Sequence, residues 1–302
     1  LIRFKKRINK DTELMPLVRL QFRGLPEAQR RAFIFENVVD SRGKEYHSPV
    51  VVGALAGSDK IFSLGMMCQV PEIAEKLVQA ELHPLKPVMV NTGPVQEEVH
   101  LGDALMEHGC LDEFPIPIST PGYDASPSIT APFWVTKDPD SGIRNVGTYR
   151  ALVKSPTRTG VAIFRVTRGI AIHWNKCHHR GIPLPAAMVI GGPPSIGYVS
   201  VTGYPIDSDE LAIAGGIAGE PLELVKCKTV DLEVPAHAEI VIEGEISTQQ
   251  MEPEGPFGEA MGVMGLTEIR HFFNVKCITH RHNPLWLAYI SQFPPSESSK
   301  IR

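Results

Sequence analysis

Two glutamates stand five residues apart in the run Glu254-Gly255-Pro256-Phe257-Gly258-Glu259. Glycine tolerates positive φ and proline fixes its own. A loop built this way can turn both carboxylates toward one cavity, which neither a helix nor a strand does at this spacing. A carboxyl desolvated there rises toward the pKa range of a general acid. A second cluster is Asn145-Val146-Gly147-Thr148-Tyr149-Arg150. It joins an amide oxygen suited to a hard cation with a guanidinium that grips carboxylate or phosphate through two hydrogen bonds. A third runs from Asp207 to Glu210 and is followed by Gly215, Gly216 and Gly219, the composition of a capped helix start. Taken singly, each also fits a bland reading: a solvated turn, a strand leaving a turn, a helix cap.

The elements that must position these groups fall into two stretches. Residues 1–113 alternate helical and extended patterns. A helical segment spans Leu14–Leu25, an extended run covers Ala32–Phe35 and Asn37-Val38-Val39, and Val50–Leu55 is a further strand. Pro71 opens a helix with Val70, Ile73, Ala74, Leu77 and Val78 on one face and Pro84 as its stop. From Phe114 prolines crowd together and short β-like runs follow. Val135, the turn Asp138–Gly142 and Tyr149–Val153 read as a hairpin, and Gly160–Val166 and Ala186–Ile190 as strands. Ile170–His179 reads as a helix. Glu239–Ile246 alternates, with Ile240 and Ile242 on one side and Val241, Glu243 and Glu245 on the other, and His271–Thr279 adds a last strand. The expected fold class is α+β: an N-terminal α/β region over residues 1–113, then a barrel-like β domain over 114–302.

Composition sets outer bounds. With 43% hydrophobic and 21% charged residues, the 302-residue chain can bury a real core. A net charge of −4 and no basic block beyond Arg3 to Lys10 argue against a nucleic-acid partner. Five scattered cysteines without CxxC spacing read as reduced thiols, the pattern of a cytoplasmic protein. No stretch approaches the roughly 18 apolar residues of a membrane span.

Taken together, the three clusters resemble, in order and spacing, the motifs of the UbiD-like decarboxylases, which use prenylated FMN. The run Gly219-Glu220-Pro221-Leu222-Glu223-Leu224-Val225-Lys226-Cys227 adds to the resemblance, as do Val234 to Gly244 and Thr279-His280-Arg281. It extends from about Phe114 to Glu297, and more loosely over the first hundred residues. The resemblance implies reversible non-oxidative decarboxylation of an aromatic, heteroaromatic or α,β-unsaturated carboxylic acid. Its β domain would be a split β-barrel of the flavin-reductase type. Arg150, Glu254 and Glu259 would be catalytic: Arg150 pairs with Glu254 and contacts flavin and substrate, and Glu259 protonates the carbon that carbon dioxide leaves. Gly147, Thr148, Tyr149, Thr167, Arg168, Ser200, Val201 and Thr202 would line the cofactor site with Asn145, Arg150 and Glu210. Asn145 and Glu210 would hold a manganese or magnesium ion on the flavin phosphate, with a potassium ion nearby. A flavin prenyltransferase would supply the cofactor, and the enzyme would be a homo-oligomer.

Two departures accompany the resemblance. Where the family places a metal-binding histidine, this sequence has Thr167 or Arg168, with His173, His178 and His179 nearby; Arg168 could hold the phosphate directly. Family members also continue past Pro294-Pro295-Ser296-Glu297 into another α/β domain, so the sequence is expected to cover only part of the protein. Two other readings compete. A plain-FMN split-barrel oxidoreductase would need a nicotinamide site, and no GxGxxG follows a strand. A non-catalytic flavin-binding subunit of a carboxylase complex would have no use for the full Arg–Glu–Glu set.

Overall fold

A computed structural model describes residues 1–163, 166–259, 262–292 and 294–301. Ten strands form one sheet whose pairings are all antiparallel. Its path runs Arg144–Thr148, Phe133–Lys137, Leu184–Ile190, Ile240–Ile246, Glu268–His280, Arg158–Val161, Ala151–Ser155, Ser128–Ile129. Glu98–Leu101 and Glu252–Glu254 also pair with the long strand Glu268–His280.

Period-two alternation explains how the sheet is covered. Trp134, Met188, Ile242 and Ile278 enter one apolar core together with Leu14, Val18 and Phe22 of helix Leu14–Gly24. Phe133, Val135, Ala187, Val189 and Val241 enter a second, against Ile196, Val199, Leu211 and Ile217 of helices Pro194–Val201 and Glu210–Ala218. Each large side chain so buried stabilises the fold by about 1.5–3 kcal/mol.

The split β-barrel expected from the sequence is not what forms. The sheet is open: its two terminal strands, Arg144–Thr148 and Ser128–Ile129, do not pair with each other among the described residues. The physical reason lies in its two apolar faces. A sheet covered by other elements on both sides gains nothing by curling to hide one face. Its edge is protected by other means: helices Gly169–His179, Pro194–Val201 and Glu210–Ala218 pack on strand Arg144–Thr148. That guarded edge carries the Asn145–Thr148 cluster.

Smaller differences have local causes. The strand after the Asp138–Gly142 turn begins at Arg144, because the Asp138 carboxylate caps the turn by accepting from the amides of Asp140 (2.8 Å) and Ser141 (3.4 Å). Ala151–Ser155 is a separate strand pairing with Arg158–Val161. The strand expected over Gly160–Val166 ends at Val161, and residues 164 and 165 lie outside the described residues. On Ile240–Ile246, Glu243 is fully buried, because the amides of Lys228 and Thr229 and the Thr229 hydroxyl all donate to it.

The N-terminal hundred residues join sheets made by the rest of the chain. Val50–Val52 lies between Phe33–Phe35 and a parallel partner, Trp286–Ala288. Helix Leu14–Gly24 and the helical turn Val70–Glu72 leading into helix Ile73–Leu82 stand where the sequence places them.

Candidate active site

Strand Glu252–Glu254 pairs with residues 268–270 and delivers Glu254 inward. Gly255 then turns the chain at φ +106°, a backbone open to glycine and costly for other residues, and a Cβ there would crowd the Leu266 carbonyl at 2.9 Å. Phe257–Gly258 pairs back on Met264–Gly265, so that Glu259 emerges on the same side. Asp124 fixes this loop by accepting from the Gly258 amide (3.1 Å) and from Gln292 Nε2. Both carboxylates meet one guanidinium. Glu259 Oε1 is 2.8 Å from Arg150 Nη1, and Glu254 Oε1 is 3.5 Å from Arg150 Nε. The guanidinium also stacks 4.4 Å above the Phe257 ring centroid. The shorter contact is thus to Glu259, whereas the sequence paired Arg150 with Glu254.

The two glutamates differ in surroundings. Glu254 has a side chain 1% exposed, in a slot where Gly160 is required because any Cβ there would overlap its carboxylate. Burial pushes its carboxyl above the ordinary value, and Arg150 opposes that shift. Neither of its oxygens accepts a hydrogen bond among the described residues. Glu259, 32% exposed, faces a cavity of about 710 Å³.

Thr148, Tyr149, Arg150, Arg168, Ser200, Val201, Thr202 and Glu259 stand on the wall of that cavity. Asn145, Gly147, Thr167, Glu210 and Glu254 do not. Gly147 leaves room for the Tyr149 ring, and Thr167 is exposed outside. Ser200 Oγ shares a 2.6 Å hydrogen bond with Thr148 Oγ1, fastening helix Pro194–Val201 to the edge strand. Arg168 sits at the N-cap of the eleven-residue helix Gly169–His179, where unpaired amides and the helix dipole favour an anion.

Asn145 and Glu210 lie behind this wall. Glu210 begins helix Glu210–Ala218 and accepts from the Val146 amide at 3.1 Å, one residue from Asn145. Burial pushes its carboxyl up to about 8, and no lysine or arginine forms an ion pair with it among the described residues. Among the described residues the Asn145 Nδ2 is buried without a partner, and the bare Gly169 lets its amide lie against the next helix. A buried carboxylate and a buried amide oxygen are donors of the kind a hard cation prefers.

Two of the three nearby histidines, His173 and His178, are committed elsewhere. His173 is buried, shares a 2.9 Å hydrogen bond with Thr136 Oγ1, and is held down to about pKa 4 by burial. His178 Nδ1 donates to the Thr248 carbonyl at 2.7 Å and its ring stacks on Trp174.

Sequence reasoning missed Phe257 as a stacking surface, Tyr289 and Ser291 on the cavity wall, and Glu297 behind them. Fully buried Glu297 accepts from the amides of Gly53 (3.0 Å), Leu55 (3.3 Å), Ala56 (3.4 Å) and Ile290 (3.2 Å). No local motif signals it, since its partners lie up to 244 residues away. Burial raises its carboxyl to about 7. A folded pKa raised above the ordinary 4.5 means that stability is lost as pH climbs from about 4.5 to about 7, by about 3 kcal/mol. Glu297→Gln, which cannot ionise, is expected to lack that component. In urea unfolding its deficit relative to wild type should therefore shrink by that amount across the window; a constant deficit would refute the assignment.

Comparison with known proteins gives the family. The family model described as 3-octaprenyl-4-hydroxybenzoate carboxy-lyase Rift-related domain, UbiD, matches residues 86–294. An uncharacterized protein of Synechocystis is 40% identical over 208 residues, covering 69% of this chain and 40% of its own length. Anhydromevalonate phosphate decarboxylase of Methanothermobacter thermautotrophicus is 35% identical over 233 residues, 77% of this chain and 51% of its own. An evolved dimeric form of the UbiD-class enzyme HmfF from Pelotomaculum thermopropionicum, solved in complex with prFMN, superposes with a TM-score of 0.86 and 35% identity. That match covers 98% of this chain and 64% of the HmfF chain. The chain spans about half the length of the curated relatives it matches. A family match over residues 86–294, at identities of 35–40% to these relatives, leaves one conclusion: the chain belongs to the UbiD carboxy-lyase family.

Proposed function

We propose that the protein carrying this chain catalyses the reversible non-oxidative decarboxylation of an aromatic, heteroaromatic or α,β-unsaturated carboxylic acid with prenylated FMN. The observation that carries this reading is Arg150, held between Glu259 and Glu254 on the wall of the 710 Å³ cavity. That volume suits a flavin-sized ligand with a small acid.

The residues fit such a cofactor. Arg168, at the N-cap of helix Gly169–His179, would take the phosphate together with Ser200 and Thr202 at the end of helix Pro194–Val201, Thr167 or Arg168 standing where the family has histidine. Asn145 and Glu210 would hold manganese or magnesium, which prefer oxygen donors, and not zinc. When bound, the prenylated flavin supplies an electron sink for the bond to the carboxylate. Arg150 orients the substrate carboxylate through its fork of donors. Glu259, facing the cavity, delivers a proton to the carbon. Glu254, dry behind Arg150, keeps the guanidinium in place. A flavin prenyltransferase as cofactor supplier and self-association of the enzyme belong to the same proposal; the HmfF relative is described as dimeric.

Reconstitution tests it. Apoprotein loaded with prenylated FMN and a divalent cation is expected to release carbon dioxide from members of a panel of unsaturated acids. The same apoprotein loaded with plain FMN is expected not to. Equal rates with the two cofactors would sink the proposal, as would hydride transfer from a nicotinamide without decarboxylation.

A further inference from the structure

At the end of strand Glu268–His280, lining a groove that shares no residue with this cavity, lies a second group of ionisable side chains. His280 ends that strand, and His100 comes from Glu98–Leu101, the strand paired to it. Their Nε2 atoms face one another at 3.1 Å, and Glu113 Oε1, from the helical turn Cys110–Glu113, lies 3.7 Å from His280 Nε2. The three ligand atoms all fall within 4.8 Å of one another. On a tetrahedral zinc ion with bonds of about 2.0–2.1 Å, ligand atoms stand about 3.3 Å apart, so one ion spans this set with small side-chain rotations.

A second observation concerns the lone pairs. His280 Nδ1 is 2.6 Å from the Arg281 carbonyl oxygen, which can only accept, so Nδ1 carries the proton. In the neutral ring the lone pair then sits on Nε2 of His280, aimed at His100 and Glu113. This arrangement, a ligand imidazole whose other nitrogen donates to a backbone carbonyl, is how zinc-binding histidines are oriented. Without a metal, the same lone pair takes the Nε2–H of His100. The rings are held from both sides: Phe114 stands edge-on to His280 with centroids 5.6 Å apart, and His108 edge-on to His100 at 5.2 Å. The ligands open onto a groove of about 670 Å³ from which water can reach a fourth position.

We propose that His100, His280 and Glu113 bind one divalent cation of the zinc class, with water as the fourth ligand. Two imidazoles and one carboxylate select zinc, cobalt or nickel over the magnesium and manganese favoured by the oxygen set at Asn145 and Glu210. The ion would pin the turn Cys110–Glu113 and strand Glu98–Leu101 to the end of the longest strand. It requires neither flavin nor turnover, so it stands apart from the decarboxylase reading.

The test is a zinc titration of the intact, chelator-stripped protein, with Co2+ absorption as a second probe. Wild type is expected to bind one equivalent of Zn2+, to gain thermal stability with it, and to show visible bands of histidine-ligated Co2+. Glu113→Gln and His100→Ala are each expected to weaken Zn2+ binding at least tenfold, whereas Glu210→Ala should leave it unchanged. Glu113 is partly exposed, so its variant keeps the test available if His100→Ala fails to fold. Zn2+ affinity unchanged in a folded Glu113→Gln, or wild-type Co2+ absorption lacking histidine-ligated bands, would overturn the site and leave a plain hydrogen-bonded histidine pair.

Discussion

Glu259→Gln is expected to keep cofactor and substrate binding and to lose turnover by about 10²–10⁴-fold, the usual worth of a general acid. The glutamine retains an oxygen for Arg150 Nη1, now 2.8 Å from Glu259 Oε1, and so preserves the shape of the site. It cannot give up a carboxyl proton. Two carboxylates flank one guanidinium, and the physical case for Glu259 as the donor is access: its side chain faces the cavity, whereas Glu254 lies behind Arg150 with a side chain 1% exposed. Solvent deuterium exchange into a product-like ligand discriminates between them. Exchange at the wild-type rate in Glu259→Gln, with exchange lost in Glu254→Gln, would mean that the two roles are reversed.

Arg150→Ala is expected to do more damage, and of two kinds. It removes the fork that orients the substrate carboxylate, so KM rises as well as kcat falling. It also strips the principal counter-charge from a buried carboxylate, at a cost of about 3 kcal/mol in stability. Glu254 can escape that cost only by holding a proton. Its folded pKa, already raised by burial, rises further in this variant, so the deficit is small at acidic pH and grows as pH increases. Arg150→Lys should rescue little, because one ammonium group cannot serve both carboxylates and stack on Phe257. Urea midpoints at pH 5 and pH 8, beside Michaelis kinetics, check both halves. Wild-type stability at pH 8 together with wild-type KM would refute the assignment.

Much of the site was legible because its chemistry is packed into short runs. The turn at Gly255 that aims Glu254 and Glu259 together follows from glycine and proline between two carboxylates, and the Asn145–Arg150 run sits on one strand and the residues just beyond it. Helices Leu14–Gly24 and Gly169–His179 followed from apolar spacing and from breakers at their ends. The open sheet did not follow. Alternation shows that strands have two faces, but not that both are covered, and a sheet covered on both faces by distant helices has no reason to close. Glu297 and Gln292 were illegible for the same reason: each acts on partners from far along the chain, and a single buried carboxylate or amide looks in sequence like any surface residue.

The parallel pairing of Val50–Val52 with Trp286–Ala288 has a consequence for how the molecule is made. During synthesis the earlier strand leaves the ribosome without that partner, and more than two hundred further residues must follow before the partner exists. At about 5–20 residues per second the interval is on the order of tens of seconds. The Glu297 carboxylate that ties down the amides of Gly53, Leu55 and Ala56 arrives later still. The wall carrying Tyr289 and Ser291 therefore forms only after the chain has passed that point, and a ligand can be seated against it only then. In the nascent state the strand Val50-Val51-Val52 leaves a hydrophobic edge for a chaperone to cover.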